Sequence, residues 1–264
     1  MHLDVRKNFE EKVSYVARRL SGMRVDDQSP FLSVDCGLPS DTFNVIVVRD
    51  VRVTAPMLAT VDRFTSKGFP FALWYWESDS DQAGLSQLVQ HGLVQTETHR
   101  AMYADLSQIQ MAVRDVEGLE IKQVTTVNDL RAFGEVMAAL FGDRDEGRQV
   151  LTYFQRLCTY PLSLFPATRY YLGTFHGKIV AIGTLFVGSQ SAGIYDLVTD
   201  DDYRRRGIGS AMFQQLLKDA RASRRRFAVL QASPDGLGIY LRAGFRITGN
   251  VLTFEATHGQ GVSS

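Results

Sequence analysis

The stretch Arg204-Arg205-Arg206-Gly207-Ile208-Gly209 is the most informative part of this 264-residue chain. It follows an apolar segment, Ala192 to Thr199, whose pattern predicts a strand. It opens a segment with apolar residues at helical spacing from Ile208 onward. Two glycines let the backbone come close to a ligand at a helix start, where unpaired N–H groups and the helix dipole favour phosphate. The sequence therefore predicts an anion-binding turn between a strand and a helix.

Two other kinds of phosphate loop fit the same stretch less well. A dinucleotide-binding turn needs a third glycine where Met212 stands, and a Walker loop needs Gly-Lys followed by Ser or Thr, which does not follow here. Both are disfavoured, and an Arg-x-x-Gly-x-Gly turn after a strand remains.

A second motif lies downstream. Phe227 to Ala232 predicts a short apolar strand, and Asp235 to Ala243 predicts a helix that is closed by Gly244-Phe245. Tyr240 stands four residues before that glycine.

In these two motifs, which cover about 60 residues from Ala192 to Thr253, the chain resembles the GNAT acetyltransferase superfamily. The resemblance implies an α/β (α+β) fold whose sheets are mixed, mostly antiparallel and flanked by helices. It also implies acetyl-CoA as co-substrate, no metal, and direct acetyl transfer to the amine of a small molecule or peptide.

The resemblance carries roles over to particular residues. The backbone of Leu197, Val198 and Thr199 would hold the thioester and the pantetheine arm, and the N–H of Leu197 would donate to the oxyanion. Backbone N–H groups of the turn would bind the pyrophosphate, and its arginines would close over it. The implied cofactor-binding residues are Leu197, Val198, Thr199, Arg204, Arg205, Arg206, Gly207, Ile208, Gly209, Ser210, Ser233 and Tyr240. Ser233 stands where many members have asparagine, and we expect it to take over that hydrogen bond to the coenzyme.

Acyl transfer from a thioester needs a proton for the leaving thiolate and an uncharged nucleophile. Tyr240, a phenol with a pKa of about 10, is the candidate acid, and Asp196, beside Leu197, is the best-placed base. Asp196 serves equally well as a hydrogen-bonded strand residue. Two alternatives stay open: a non-catalytic module that binds acyl-CoA for regulation, and transfer to oxygen instead of nitrogen.

The chain is long enough for two domains. From Leu119 the pattern runs strand, helix, helix and a hairpin, so we predict a catalytic domain at 116–257 and a flexible tail at 258–264. Residues 1–115 repeat the order of the catalytic half, but they lack the glycine turn and carry Leu88 four residues before Gly92, where the second copy has Tyr240. We predict a degenerate N-terminal GNAT-like domain that binds no acetyl-CoA productively.

Composition restricts the partners. With 29 basic and 29 acidic side chains the net charge is zero, which argues against nucleic-acid and anionic-membrane partners. The two cysteines, Cys36 and Cys158, predict neither a disulfide framework nor a zinc cluster. A cytoplasmic enzyme, monomer or homodimer, is the expectation.

Three further segments have two interpretations each. The carboxylates of the stretch 142–146 suit a cationic acceptor but are more often solvent-facing. The stretch 74–76, Trp-Tyr-Trp, is either an aromatic wall for a planar or cationic group or an alternating buried strand. The arginines 224–226 are more readily explained as a solvated face than as a 3′-phosphate contact.

Overall fold

A computed structural model describes residues 5–49, 53–77, 82–109 and 115–256. Contacts divide the chain into two compact units. Unit 1 consists of Met1–Val16 and Arg100–Thr248, and unit 2 consists of Ala17–His99 and Gly249–Ser264. Among the described residues, no helix combines the length and apolar character that crossing a membrane requires.

The helices and strands follow one another along the chain in a mixed α/β order. They are α1 (Val5–Tyr15), β1 (Arg24–Gln28), β2 (Phe31–Asp35), β3 (Val45–Val48), α2 (Ala55–Ser66), β4 (Ala72–Trp76), α3 (Gln82–Gln90), β5 (Leu93–Asp105), β6 (Leu119–Gln123), α4 (Val127–Ala139), α5 (Asp145–Leu157), β7 (Thr168–Phe175), β8 (Lys178–Val187), β9 (Ser191–Thr199), α6 (Ile208–Ala222), β10 (Phe227–Ala232), α7 (Leu237–Arg242) and β11 (Arg246–Ala256). Short 3₁₀ turns lie at Leu162–Leu164 and Asp201–Tyr203.

The sheet of unit 1 has the strand order β5-β10-β9-β8-β7-β6. Neighbouring strands are antiparallel except β9 and β10, which run parallel. A parallel pair needs a crossover connection, and α6 provides it. The sheet is therefore mixed and mostly antiparallel, as the sequence predicts.

Helices cover both faces of this sheet. Helix α6 packs against β8 and β9, and α4 packs against β7 and β8. Side chains of α6 such as Met212, Phe213 and Leu216 are fully buried against the strands. Each buried side chain of this size stabilises the fold by about 1.5–3 kcal/mol. Coverage on both faces explains why β8 is buried along most of its length instead of alternating.

Unit 2 is built on the same principle. Its strands lie in the order β1-β2-β3-β4-β11, with β3 and β4 parallel and the other pairs antiparallel. Helices α2 and α3 bury Met57, Phe64 and Leu88 against the strands. Tyr75 faces this core, whereas its neighbours Trp74 and Trp76 are half-buried, so the three aromatic residues do not form one wall.

Each unit contains strand residues from the other half of the sequence. β10 pairs with Arg100–Asp105 of β5, and β4 pairs with Val251–Phe254 of β11. Helix α1 belongs to unit 1. The contacts thus do not follow a single boundary along the chain. The predicted domains, 1–115 and 116–257, were defined by the sequence repeat, and this division stays a prediction. The predicted tail at 258–264 lies outside the described residues.

The predicted elements of the catalytic half agree with the structure to within about two residues. Thr126 caps α4 as its spacing to Asp129 indicates, because the Thr126 hydroxyl accepts a 3.1 Å hydrogen bond from the Asp129 N–H. The polar sequence Arg24–Gln28 has no apolar alternation, so β1 could not be predicted from it.

Candidate active site

A β-bulge interrupts β9 at Asp196 and Leu197. Ile182 of β8 lies opposite Val198, whereas Thr184 lies opposite Tyr195, so two residues of β9 stand against Gly183 alone. Asp196 has a φ of 50°, in the left-handed region that aspartate tolerates better than most residues. A bulge of this kind re-aims side chains and ends regular pairing.

The bulge lies just beyond the point where β9 and β10 cease to pair. The parallel ladder joins only Phe227–Val229 to Ser191–Gly193, although β9 continues to Thr199 and β10 to Ala232. Beyond Gly193, the edge of β9 that faces β10 has no ladder partner among the described residues. Strand N–H and C=O groups without a ladder partner can pair with an extended ligand. The two strands therefore do not pair beside Leu197.

The turn that follows β9 leads into α6 through a glycine in the left-handed conformation. Gly207 is the residue before the helix and has a φ of 83°. The first N–H groups of α6, those of Ile208, Gly209 and Ser210, have no intrahelical acceptor, as at the start of any helix. Gly207 has no side chain that could accept a hydrogen bond from them. These N–H groups and the helix dipole make the start of α6 an anion site.

The strand end and the helix start approach each other closely. A Cβ atom added to Gly209 would lie 3.2 Å from Oγ1 of Thr199, and Nε of Arg204 donates to the Thr199 carbonyl over 3.3 Å. The three arginines are exposed, and Arg204 also pairs with Asp201 at 2.7 Å. The structure therefore brings Thr199, the arginines and the start of α6 together in one turn.

Tyr240 lies on α7 and packs into the α6 side of the sheet. Its ring stands edge-on to Phe213 with centroids 5.0 Å apart, and Leu197 packs against the same hydrophobic cluster. Burial raises the pKa of Tyr240 to about 12. The Tyr240 hydroxyl makes no hydrogen bond to any of the described residues. It is thus a neutral phenol with a proton to offer.

Asp196 faces the opposite side of the sheet, toward α1. Its Oδ1 atom lies 3.7 Å from Nζ of Lys12. Burial, and secondly the charge of Asp196, raise the pKa values of Tyr170 and Tyr195. The bulge explains why Tyr195 and Asp196, consecutive in sequence, both face α1. Lys12 and Tyr170 were not singled out from the sequence, because no local pattern distinguishes them from ordinary helix and strand residues.

Two other candidates from the sequence, the arginines 224–226 and Ser233, lie outside the glycine turn. Arg224 and Arg226 are exposed, as expected of a solvated face. Arg225 donates to the carbonyl of Gly188 over 2.8 Å, and Arg226 pairs with Asp105 at 3.0 Å. Ser233 lies just after β10 with an exposed side chain. Its contact with the cofactor stays a prediction.

The loop between α4 and α5 is exposed and carries both signs of charge. Asp145 pairs with Arg148, and the Arg144 guanidinium lies 5.3 Å from the centroid of the Phe141 ring. No group of three or more His, Cys, Asp or Glu side chains in the described residues is arranged to hold a metal ion.

The part of the sequence that contains the bulge, the glycine turn and Tyr240 matches a known protein family. Residues 136–245 match the family described as "Acetyltransferase (GNAT) family". The chain contains a GNAT acetyltransferase domain. The matched range contains β9, α6, β10 and α7, and with them the bulge, the glycine turn and Tyr240. No curated protein matches the sequence significantly.

Solved structures extend the GNAT likeness to nearly the whole chain. A "GCN5-related N-acetyltransferase from Kribbella flavida" superposes with a TM-score of 0.68 at 17% identity, covering 98% of this chain and 97% of that one. A GCN5-related N-acetyltransferase from Sphaerobacter thermophilus gives 0.57 at 17% identity, with 95% and 90% covered. A "tandem GNAT protein from the clavulanic acid biosynthesis pathway" gives 0.60 at 14% identity, with 92% and 87% covered. At these identities the likeness shows the fold, including its tandem form.

Proposed function

We propose that this protein is a cytoplasmic, acetyl-CoA-dependent N-acetyltransferase that transfers acetyl directly to the amine of a small molecule or peptide. The observation that carries the proposal is that the β9–β10 pairing ends at Gly193 and Val229, ahead of the β9 bulge, so that an edge of β9 without a ladder partner leads to the uncapped start of α6. A strand edge and an anion site lie side by side, as an elongated ligand with a diphosphate requires. The names of the structural neighbours, which are N-acetyltransferases, support the same reaction class.

The turn and the start of α6 would bind the pyrophosphate of coenzyme A. The N–H groups of Ile208, Gly209 and Ser210 would donate hydrogen bonds to the phosphate oxygens, and the exposed arginines 204–206 would add charge-assisted hydrogen bonds. The free edge of β9 at Leu197, Val198 and Thr199 would pair with the amide groups of the pantetheine arm.

The backbone N–H of Leu197 would stabilise the negative charge that develops on the thioester oxygen. A single donor of this kind lowers the activation barrier by about 2.7–4 kcal/mol. Asp196 would accept the proton of the attacking ammonium, which ordinarily has a pKa of about 10.4. Deprotonation of that group at pH 7 costs about 4–5 kcal/mol, so a nearby carboxylate is needed.

Tyr240 would stabilise the leaving thiolate mainly as a hydrogen-bond donor. With its pKa raised to about 12, complete transfer to a thiolate whose conjugate acid has a pKa of about 8.5 is uphill by roughly 5 kcal/mol. Burial that raises the phenol pKa also raises that of a thiol placed beside it, since both charged forms are anions. The difference between the two pKa values, and with it the cost of proton transfer, becomes smaller when the sulfur is also shielded from water.

Unit 2 is proposed to bind no coenzyme A. Its parallel strands β3 and β4 pair along all four residues of β3, from Val45 opposite Ala72 to Val48 opposite Tyr75. The opening that β9 and β10 leave in unit 1 is therefore absent from this described pair. Leu88 is fully buried in the core of unit 2 and has no proton to donate.

Two measurements on the full chain test the proposed function. Calorimetric titration with coenzyme A should give one equivalent bound per chain. Thiol release from acetyl-CoA should rise with an acceptor from a panel of amines, amino acids, aminoglycosides and peptides. Binding without turnover on any acceptor would favour the regulatory module, and absence of coenzyme binding would refute the proposal.

A further inference from the structure

The ammonium group of Lys12 lies beside the bulge of β9. Its Nζ atom is 3.7 Å from Oδ1 of Asp196 and 5.2 Å from the centroid of the Tyr195 ring. The Lys12 side chain is 27% exposed and that of Asp196 is 18% exposed. A half-buried lysine amine thus lies next to the carboxylate that we assign as the base.

Hydrogen bonds fix α1, and with it Lys12, on the sheet. Nδ2 of Asn8 donates to the Ser191 carbonyl over 2.8 Å, and the Ser189 N–H donates to Glu11 over 2.8 Å. One turn further, the Ala167 N–H donates to the Tyr15 hydroxyl over 3.1 Å. Anchors before and after Lys12 restrict the region that its side chain can reach.

Helix α1 packs against β9 and β10, the two strands whose pairing ends at Gly193 and Val229. Tyr195 and Asp196 face α1, whereas Ile194 and Leu197 belong to the cluster on the α6 side. A thioester bound at the opening would therefore have Tyr240 on one face of the sheet and Lys12 on the other. An amine could then reach the carbonyl from the α1 side, while the Tyr240 hydroxyl lies on the α6 side, where it can stabilise the leaving thiolate.

We propose that Lys12 is an acetyl acceptor of this protein, so that the chain acetylates its own first helix. The proposal rests on the proposed function, because the acetyl donor is acetyl-CoA bound at the opening between β9 and β10.

The step balances within the groups already named. The Lys12 ammonium gives a proton to the Asp196 carboxylate, and the free amine attacks the thioester carbonyl. The new C–N bond forms an amide at Nζ, and the C–S bond breaks. The leaving thiolate is stabilised by the Tyr240 hydroxyl and takes up the second proton that the attacking nitrogen loses as the amide forms, and the proton held by Asp196 returns to solvent. One acetyl-CoA is consumed, and one coenzyme A and one acetyl-lysine are formed.

Holding the Lys12 amine close to the thioester offsets the cost of removing its proton. An ordinary lysine, with a pKa of about 10.4, has only roughly one molecule in 10³ or fewer deprotonated at pH 7. A well-oriented nucleophile within the same molecule reaches effective concentrations of about 10⁵ M or more, which offsets that cost. The product is neutral, so acetylation removes the ion pair with Asp196 and the cation–π contact with Tyr195.

Lys7 provides a matched control on the same helix. It is exposed, whereas Lys12 is half-buried, so spontaneous acylation by acetyl-CoA in solution should favour Lys7. The full chain is incubated with acetyl-CoA, and acetylation of the two lysines is followed by peptide mass spectrometry. We expect Lys12 to react at least about tenfold faster than Lys7. Equal rates, or faster reaction at Lys7, would overturn the proposal.

Variants separate catalysed transfer from local reactivity. Asp196→Asn and Tyr240→Phe should each slow acetylation at Lys12 about 100-fold and leave the rate at Lys7 unchanged. Lys12→Arg keeps the charge beside Asp196 and should abolish the acetyl group at position 12. Unchanged Lys12 acetylation in both catalytic variants would mean that the reaction is spontaneous and would contradict the proposal.

Concentration dependence shows whether the transfer is internal. The first-order rate at Lys12 should not change across a tenfold range of protein concentration, and Lys12→Arg protein should not acetylate Lys12 of the Tyr240→Phe variant. Coenzyme binding and turnover on an added amine, with Lys12 unmodified, would refute self-acetylation and leave the proposed function standing. No coenzyme binding would refute both.

Discussion

The Tyr195 hydroxyl donates a 2.8 Å hydrogen bond to Oδ1 of Asn8, across 187 positions of sequence. Asn8 is 2% exposed and also donates to the Ser191 carbonyl, so one amide joins α1 to two points of β9. The residue beside Tyr195 is Asp196, the proposed base. The position of the bulge side chains thus depends on a helix that lies far outside the residues matched by the family model.

Asn8→Leu should lower the free energy of unfolding by about 2–4 kcal/mol, because it leaves the Tyr195 hydroxyl and the Ser191 carbonyl without their buried partner. Chemical denaturation of the two proteins measures the difference. Asn128→Leu, at an exposed position at the start of α4, is the matched control and should change stability by no more than about 0.5 kcal/mol. Equal effects of the two substitutions would show that the α1 contact does not stabilise the fold.

Tyr240→Phe should reduce turnover about 100-fold or more and leave the affinity for coenzyme A nearly unchanged. The ring still packs on Phe213, and only the hydroxyl that stabilises the thiolate is lost. Initial rates on the best acceptor and calorimetric titration measure the two quantities. Tyr103→Phe removes a hydroxyl from β5, away from the turn and α7, and should keep full turnover. Wild-type turnover in Tyr240→Phe would remove Tyr240 from the mechanism.

Gly207→Ala should weaken coenzyme A binding and lower stability. Alanine at a φ of 83° costs about 1–2 kcal/mol, and relief of that strain would move the N–H groups at the start of α6. Gly177→Ala is the control, because Gly177 has a φ of 84° in the β7–β8 turn and open space around it. Both variants should lose similar stability, but only Gly207→Ala should lose coenzyme affinity. A binding loss shared by both would point to general destabilisation.

His99 should make the stability of the protein depend on pH. Burial lowers the pKa of His99 below its ordinary value of 6.5, and its ring stacks on Trp74 with centroids 5.1 Å apart. The unfolded chain therefore binds this proton at a higher pH than the folded chain does. The stabilisation is fully present above pH 6.5 and is lost as the pH falls through the folded pKa.

Denaturation at several pH values between 8 and 5 measures this effect. Relative to His99→Phe, which keeps an aromatic ring on Trp74, the wild type should lose stability as the pH falls. His91→Gln, at an exposed position, is the control and should retain the pH dependence of the wild type. An identical pH dependence in His99→Phe and the wild type would contradict the prediction.

The sequence by itself determined the local elements of the GNAT domain. The signals for these elements are local: they are the glycine at position 207, the apolar spacing from Ile208 and the cap at Thr126. Each depends on only a few neighbouring residues, so the strand, turn and helix around it could be predicted within narrow limits. Tyr240 was recognised because its distance to Gly244 is also a local signal. The polar strand at Arg24–Gln28 gave no such signal and was missed.

Only the tertiary structure decided which of these elements meet. The bulge at Asp196 and Leu197 is a register shift between β8 and β9, and a register is a property of two strands. Lys12 reaches Asp196 because α1 packs on unit 1, and β5 and β11 complete sheets with strands distant in sequence. Such contacts depend on the packing of side chains that are far apart along the chain, and local periodicity carries no information about that packing.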